Sequence, residues 1–131
     1  MGNANVMNVC VPLTNGTSDV GTSNIFGFYA PSDAVGGGIT ITRVDYASNV
    51  AIAAASAPVF ECVTLTSAGV IAGTIATVLG SANWTAGTSR VGTLSTTFVD
   101  AGQAVAFTKQ QTAVNGTIPV ITAAVQYVMG R

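Results

Sequence analysis

Three consecutive glycines, Gly36 to Gly38, lead into "ITITRVDY", and a glycine run ahead of charged residues is one way to hold a phosphate. That chemistry needs the glycines to open the N-terminus of a helix, with a lysine or a later acidic residue completing the site. Here β-branched residues follow and no lysine is near, so the run reads as a turn into a strand. Arg43 and Asp45, two apart on that strand, can pair with each other or with a partner molecule.

The remaining chemistry is sparse. The chain has no histidine, which removes the commonest base for a serine or cysteine nucleophile and one usual zinc ligand. Lys109, the sole lysine, sits in "TKQQT", which reads as a polar loop with no dyad motif. Nothing in the spacing of Asp19, Asp33, Asp45, Glu61 and Asp100 selects two of them as a glycosidase pair, and Asp100 before Ala101-Gly102 reads as a turn residue. With Arg43, Arg90, Lys109 and Arg131 as the whole basic complement, the 6 to 10 phosphate contacts of a typical DNA-binding surface cannot be supplied. The expectation is no enzyme, no cofactor, no metal and no direct nucleic-acid binding.

Aromatic side chains are the other route to recognition. Phe26, Phe28 and Tyr29 in "NIFGFYAP" could stack on bases, but core packing is the expectation for all three. Trp84 in the turn-rich "GSANWTAGTSR" is either exposed, where with Asn83 and Arg90 it would contact a sugar or a protein, or folded over a sheet edge. Asn-x-Thr triplets at Asn15, Asn83 and Asn115 match the glycosylation acceptor pattern, as chance alone allows in a threonine-rich chain.

The elements that must position these residues are strands. Eighteen valines and eight isoleucines against four leucines, with eighteen threonines, favour the pleated surface over the helix. Turn signals recur at short intervals, including Asn15-Gly16, Ala68-Gly69, Ala101-Gly102 and Asn115-Gly116, and they divide the chain into strands over 6–13, 24–29, 38–46, 59–66, 70–79, 90–98, 103–108 and 118–128. "AIAAASAP" (51–58) ends in proline and reads as a small-residue strand or loop. These intervals predict one all-β domain over residues 1–131, a jelly-roll-like β-sandwich or related barrel of about eight strands.

Two stretches carry register information. In "ITAAVQYVM", Ile121, Ala123, Val125 and Tyr127 alternate with more polar neighbours and are expected to face the core. In the strand after the glycine run the apolar side switches from Ile39 and Ile41 to Val44 and Tyr46. A bulge near Thr42 would restore one face; cover on both sides by an assembly is the alternative. Cys10 and Cys62 lie in apolar runs and read as buried free thiols, a disulfide being the other option.

Charged residues make up 7% of the chain, far below the roughly 25 to 35% that keeps a small domain's surface dispersed. Either threonine, serine and asparagine hydrate the surface, or much of it is covered by other protein. No apolar run reaches the ~18 residues of a membrane span, and "MGNANVMNV" shows neither a secretory signal nor a myristoylation motif. Residues 1–8 are an expected extended arm able to add a strand to a neighbour, so that deleting them weakens assembly more than folding.

The strands "GGGITITRVDY" and "VTLTSAGVIAGTIATVL", the hairpin "DAGQAVAFTKQQ" and the closing "VQYVMGR" resemble small all-β structural proteins of tailed-phage virions, above all capsid decoration or head-surface proteins. The resemblance implies a non-enzymatic protein, made in the host cytoplasm, that forms trimers or other homo-oligomers on the virion surface and binds the major capsid protein shell. A tail or baseplate role fits the same features. Arg43, Asp45, Trp84 and Arg90 are the candidate partner-binding residues, and a carbohydrate-binding or adhesin-like module using the Trp84 loop is the competing expectation.

Overall fold

The computed structural model describes residues 6–13, 21–31, 36–52, 59–78, 84–111 and 120–130. They form ten strands and no helix: β1 (Met7–Pro12), β2 (Gly21–Tyr29), β3 (Gly38–Ser48), β4 (Val59–Leu65), β5 (Ile71–Val78), β6 (Arg90–Val91), β7 (Thr93–Leu94), β8 (Phe98–Asp100), β9 (Ala104–Gln111) and β10 (Ile121–Met129). Sheet A runs β1-β10-β3-β6, with β8 also on β3, and sheet B runs β2-β9-β4-β5-β7. All pairings are antiparallel and they nest: β1 with β10, β2 with β9, β3 with β8, β4 with β5. The β10–β3 and β4–β9 pairings then join these ribbons side by side.

The two sheets meet through aromatic rings. Tyr46 of β3 stacks on Phe60 of β4 at 5.7 Å and meets Phe107 of β9 edge-on at 6.1 Å. Phe28 of β2 stacks on Tyr127 of β10 at 5.8 Å. Of these rings Tyr46, Phe60 and Phe107 are fully buried, and burying such a side chain contributes about 1.5–3 kcal/mol of transfer free energy, so this sandwich-like arrangement is held by its interior. Ile121, Ala123, Val125 and Tyr127 all face that interior, as their alternation predicts.

The bulge in β3 is present. Gln126 is opposite Arg43 and Tyr127 is opposite Ile41, so Thr42 is the extra residue. It lets Ile39, Ile41, Val44 and Tyr46 all point inward, fully buried, while Thr42 and Arg43 are both exposed. The glycine run is a turn: Gly36 and Gly37 have φ of 83° and 82°. A Cβ on Gly38 would lie 2.1 Å from the Val99 carbonyl oxygen, so glycine there permits close approach of two strands rather than of a ligand. Ala68-Gly69 and Ala101-Gly102 are turns as expected, with φ of 78° at Gly69 and 80° at Gly102. Asn15-Gly16, Asn115-Gly116, residues 53–58 and residues 1–5 of the expected arm lie outside the described residues, while Met7 and Asn8 pair with Tyr127 and Gln126 within β1.

Three expectations are corrected. The segment 90–98 is not one strand: β6 pairs with β3 in sheet A, β7 with β5 in sheet B, and β8 returns to β3. The crossing turns on buried Gly92, whose N–H donates to the Val44 carbonyl at 2.8 Å and where a Cβ would come within 3.3 Å of Ala76 and 3.4 Å of Tyr46. Lys109 is not in a loop. It lies on β9, 1% exposed, on the face that carries Val105 and Phe107, and the long pairing of β9 with β2 and β4 holds that register through the polar run. The cysteines are both free, but only Cys62 is buried; Cys10 is exposed, because inward Val9 and Val11 set the alternation of β1.

Candidate binding site

The four residues expected to bind a partner divide into two pairs. Arg43 and Asp45 form an ion pair on the outer face of sheet A, Nε to Oδ1 at 2.7 Å, with Nε also 2.9 Å from Oδ2. Both are partly solvent-accessible, and an exposed pair of this kind is worth about 0–1 kcal/mol. Its charges largely satisfy each other, which lowers its value as a contact for something else.

Trp84 is inside and Arg90 is partly buried against it. Trp84 is 1% exposed, bridges Ile52 in a short antiparallel pairing and meets Phe60 edge-on at 6.2 Å. Arg90 lies with Cζ 5.1 Å from the centre of the Trp84 ring, directly across the strand pair from Tyr46. The Trp84 side chain is therefore tucked into the core, and in this conformation the indole presents no face to a sugar. Asn83 lies outside the described residues. Three polar atoms of this cluster, the Tyr46 hydroxyl, Trp84 Nε1 and Arg90 Nη1, are buried without a hydrogen-bond partner. Burial raises the Tyr46 phenol far above its ordinary pKa, with the Cys62 thiol and Glu61 carboxylate adding to the effect. It also lowers the Arg90 guanidinium and pushes the Cys62 thiol up to about 12, which leaves that sulfur protonated and unreactive.

The accessible recognition surface is elsewhere, on the outer face of sheet B. Phe26 and Tyr29 are 53% and 63% exposed, with ring centres 4.9 Å apart, which overturns the expectation of core packing for both. Only Phe28 packs inward. The cause is a bulge: Phe26 is opposite Ala106 and Phe28 is opposite Val105, so Gly27 is the extra residue and the two phenylalanines take opposite faces. A Cβ at Gly27 would sit 2.8 Å from the Val105 carbonyl oxygen, so only glycine fits. A glycine between two aromatics in a strand was the available signal.

Across the strands Phe26 continues into Ala106 and Val63, and Tyr29 into Ala104, Leu65 and Ile71. Val63 and Ala106 are buried on this outer face, apart from the cluster between the sheets. At its end, the two aromatics and the turns at 66–69 and 100–103 enclose an open groove of about 640 Å³. Among the described residues Asp100 is the only charged one lining it.

Among the described residues no three His, Cys, Asp or Glu side chains group as metal ligands, and no helix is long and apolar enough to cross a membrane. No family model, curated protein or solved structure matches the chain.

Proposed function

We propose that this chain is a non-enzymatic structural protein that self-associates and coats a larger protein shell, as a capsid decoration protein coats a virion. The observation that carries the proposal is the open side of the sandwich. Among the described residues β1 and β2 are the terminal strands of their sheets, six and nine residues long, and neither contains a charged residue. Soluble monomers blunt such edges with lysines or inward charges, and an uncharged edge is a template for strand addition by another chain.

Two further observations support the viral form of the proposal. The nested order β1-β10-β3-β6/β8 over β2-β9-β4-β5 is the order expected of a jelly roll, an architecture used by capsid and lectin domains. The 7% charge content lets such surfaces be covered with little desolvation cost. Fold alone assigns no function, so the weight rests on the edges.

The test is the solution mass by light scattering across a concentration series, for the native chain and for Asn8→Lys/Cys10→Lys, which places two charges on the exposed face of β1. A closed oligomer that the substitutions dissociate, with folding stability changed by less than about 0.5 kcal/mol, is the expected result. A native protein that stays monomeric throughout and does not co-sediment with capsid shells would sink the proposal.

A further inference from the structure

We propose that the groove between Phe26, Tyr29 and the 100–103 turn binds a cationic side chain, arginine or lysine, presented by a flexible segment of a partner protein. The inference deepens the assembly proposal by naming the chemistry of the contact, and it rests on that proposal only for the partner being a protein.

The argument begins with which polar groups remain available. Of the polar side chains in the groove, Thr66 Oγ1 accepts the Val70 N–H at 3.2 Å and Gln103 Oε1 accepts the Asp100 N–H at 3.4 Å, so both are committed to their own turns. The Asp100 carboxylate, on an exposed residue, takes part in no hydrogen bond or ion pair with the described residues. What the groove offers a visitor is two aromatic rings, the Ser67 hydroxyl, the Gln103 amide N–H groups and one carboxylate that no described residue pairs. Aromatic faces carry negative potential and attract ammonium and guanidinium groups, and a carboxylate alongside adds to the same preference.

Charge decides against the other occupants. Among the described residues no basic side chain lines the groove, so phosphate, sulfate or a nucleic-acid backbone would meet only a like charge from them. A sugar would need several free donors and acceptors, and two of the groove's polar side chains are already engaged. The chain's own described cations are committed as well: Arg43 is paired to Asp45, Arg90 lies over Trp84, and Lys109 is 1% exposed. Arg131, the remaining basic residue, lies outside the described residues, and the occupant proposed is a cation from another protein. An opening of about 640 Å³ is wide enough for a long side chain with its flanking backbone.

The probe is the capped pentapeptide Gly-Ser-Arg-Ser-Gly, titrated into the full-length 15N-labelled protein and followed by amide chemical shifts. Its control carries citrulline, the neutral isostere of arginine. The arginine peptide is expected to shift the amides of Gly69, Gly102 and Gln103, with an affinity that falls as salt is raised. Asp100→Asn should weaken it by about three- to fivefold, as should Phe26→Ala or Tyr29→Ala. All three residues are exposed, so the amide spectrum itself reports that each variant is folded. Equal shifts from the citrulline peptide, no change in Asp100→Asn, or a response to maltose but not to the arginine peptide would each overturn the inference. Because the probe is a free peptide, the readout does not depend on oligomerisation. A monomer that does not co-sediment with capsid shells yet binds the peptide sinks assembly and leaves the groove standing; an assembling protein whose groove ignores it does the reverse.

Discussion

The two lateral sides of this sandwich are built on opposite plans. On one, the segment Arg90–Asp100 crosses from β3 to β5 and back to β3, so that short strands pair with the outermost long strand of each sheet. Backbone groups between the strands are also used: Ser95 N–H donates to Ile75 O at 2.7 Å and Ile41 N–H to Thr97 O at 2.8 Å. On the other, among the described residues, β1 and β2 end their sheets as long uncharged strands. One side is closed by the chain itself and the other is the side on which the assembly proposal rests. A small β protein can solve its edge problem internally or by assembly, and the proposal divides the two solutions between the two sides.

Substitutions on the closed side should act on folding. Gly38→Ala is the severest, because its Cβ would lie 2.1 Å from the Val99 carbonyl in the β3–β8 pair and the strands must separate. A loss of 3 kcal/mol or more is expected, read as the urea midpoint of a two-state transition. A near-native midpoint would show that β8 is dispensable and that the closed side is not a folding element.

Tyr46→Phe, beneath the same side, works in the opposite direction. The hydroxyl is buried without a partner, so removing it should leave stability unchanged or raise it by about 1 kcal/mol. Alkaline pH sharpens the point. Cys62 and Tyr46 both have pKa values raised by burial, so the folded state holds its protons more tightly than the unfolded state. Their contribution is complete at neutral pH and is lost as pH climbs from 9.0 towards about 12 for Cys62, with Tyr46 adding above 10.0. Urea midpoints should fall across that window, less steeply in Tyr46→Phe. A flat profile would mean that the core admits water.

On the open side the thiol at Cys10 should react with iodoacetamide at neutral pH in the native protein while Cys62 reacts only on unfolding. Protection of Cys10 at high protein concentration, lost on dilution, would place β1 in an interface between copies. Smallest of all is Arg43→Ala, on the outer face of sheet A. Its exposed ion pair predicts a change within about 1 kcal/mol, and a larger loss of assembly than of stability would add that face to the open side.

Much of the fold was legible because strand signals are local. The alternation of Ile121, Ala123, Val125 and Tyr127, the bulge at Thr42 and the turns at Gly69 and Gly102 follow from period two and from glycine's freedom at positive φ. The candidate site was legible only in part. Phe26, Tyr29 and Trp84 were recognised as aromatics that could bind, but the exposed pair and the buried one were assigned the wrong way round or left open. Burial depends on which sheet covers which face, and no local pattern carries that.

The sequence by itself determined that this protein is all-β, poor in charge and without histidine, because those properties are sums over residue types and short-range sterics. Only the tertiary structure decided that Lys109 and Trp84 go inside, that the 90–100 segment splits between two sheets, and that Phe26 and Tyr29 stand beside Asp100. Those facts depend on contacts between residues far apart in the chain, where Gly27 and Gly38 let backbones approach at distances that a side chain would forbid.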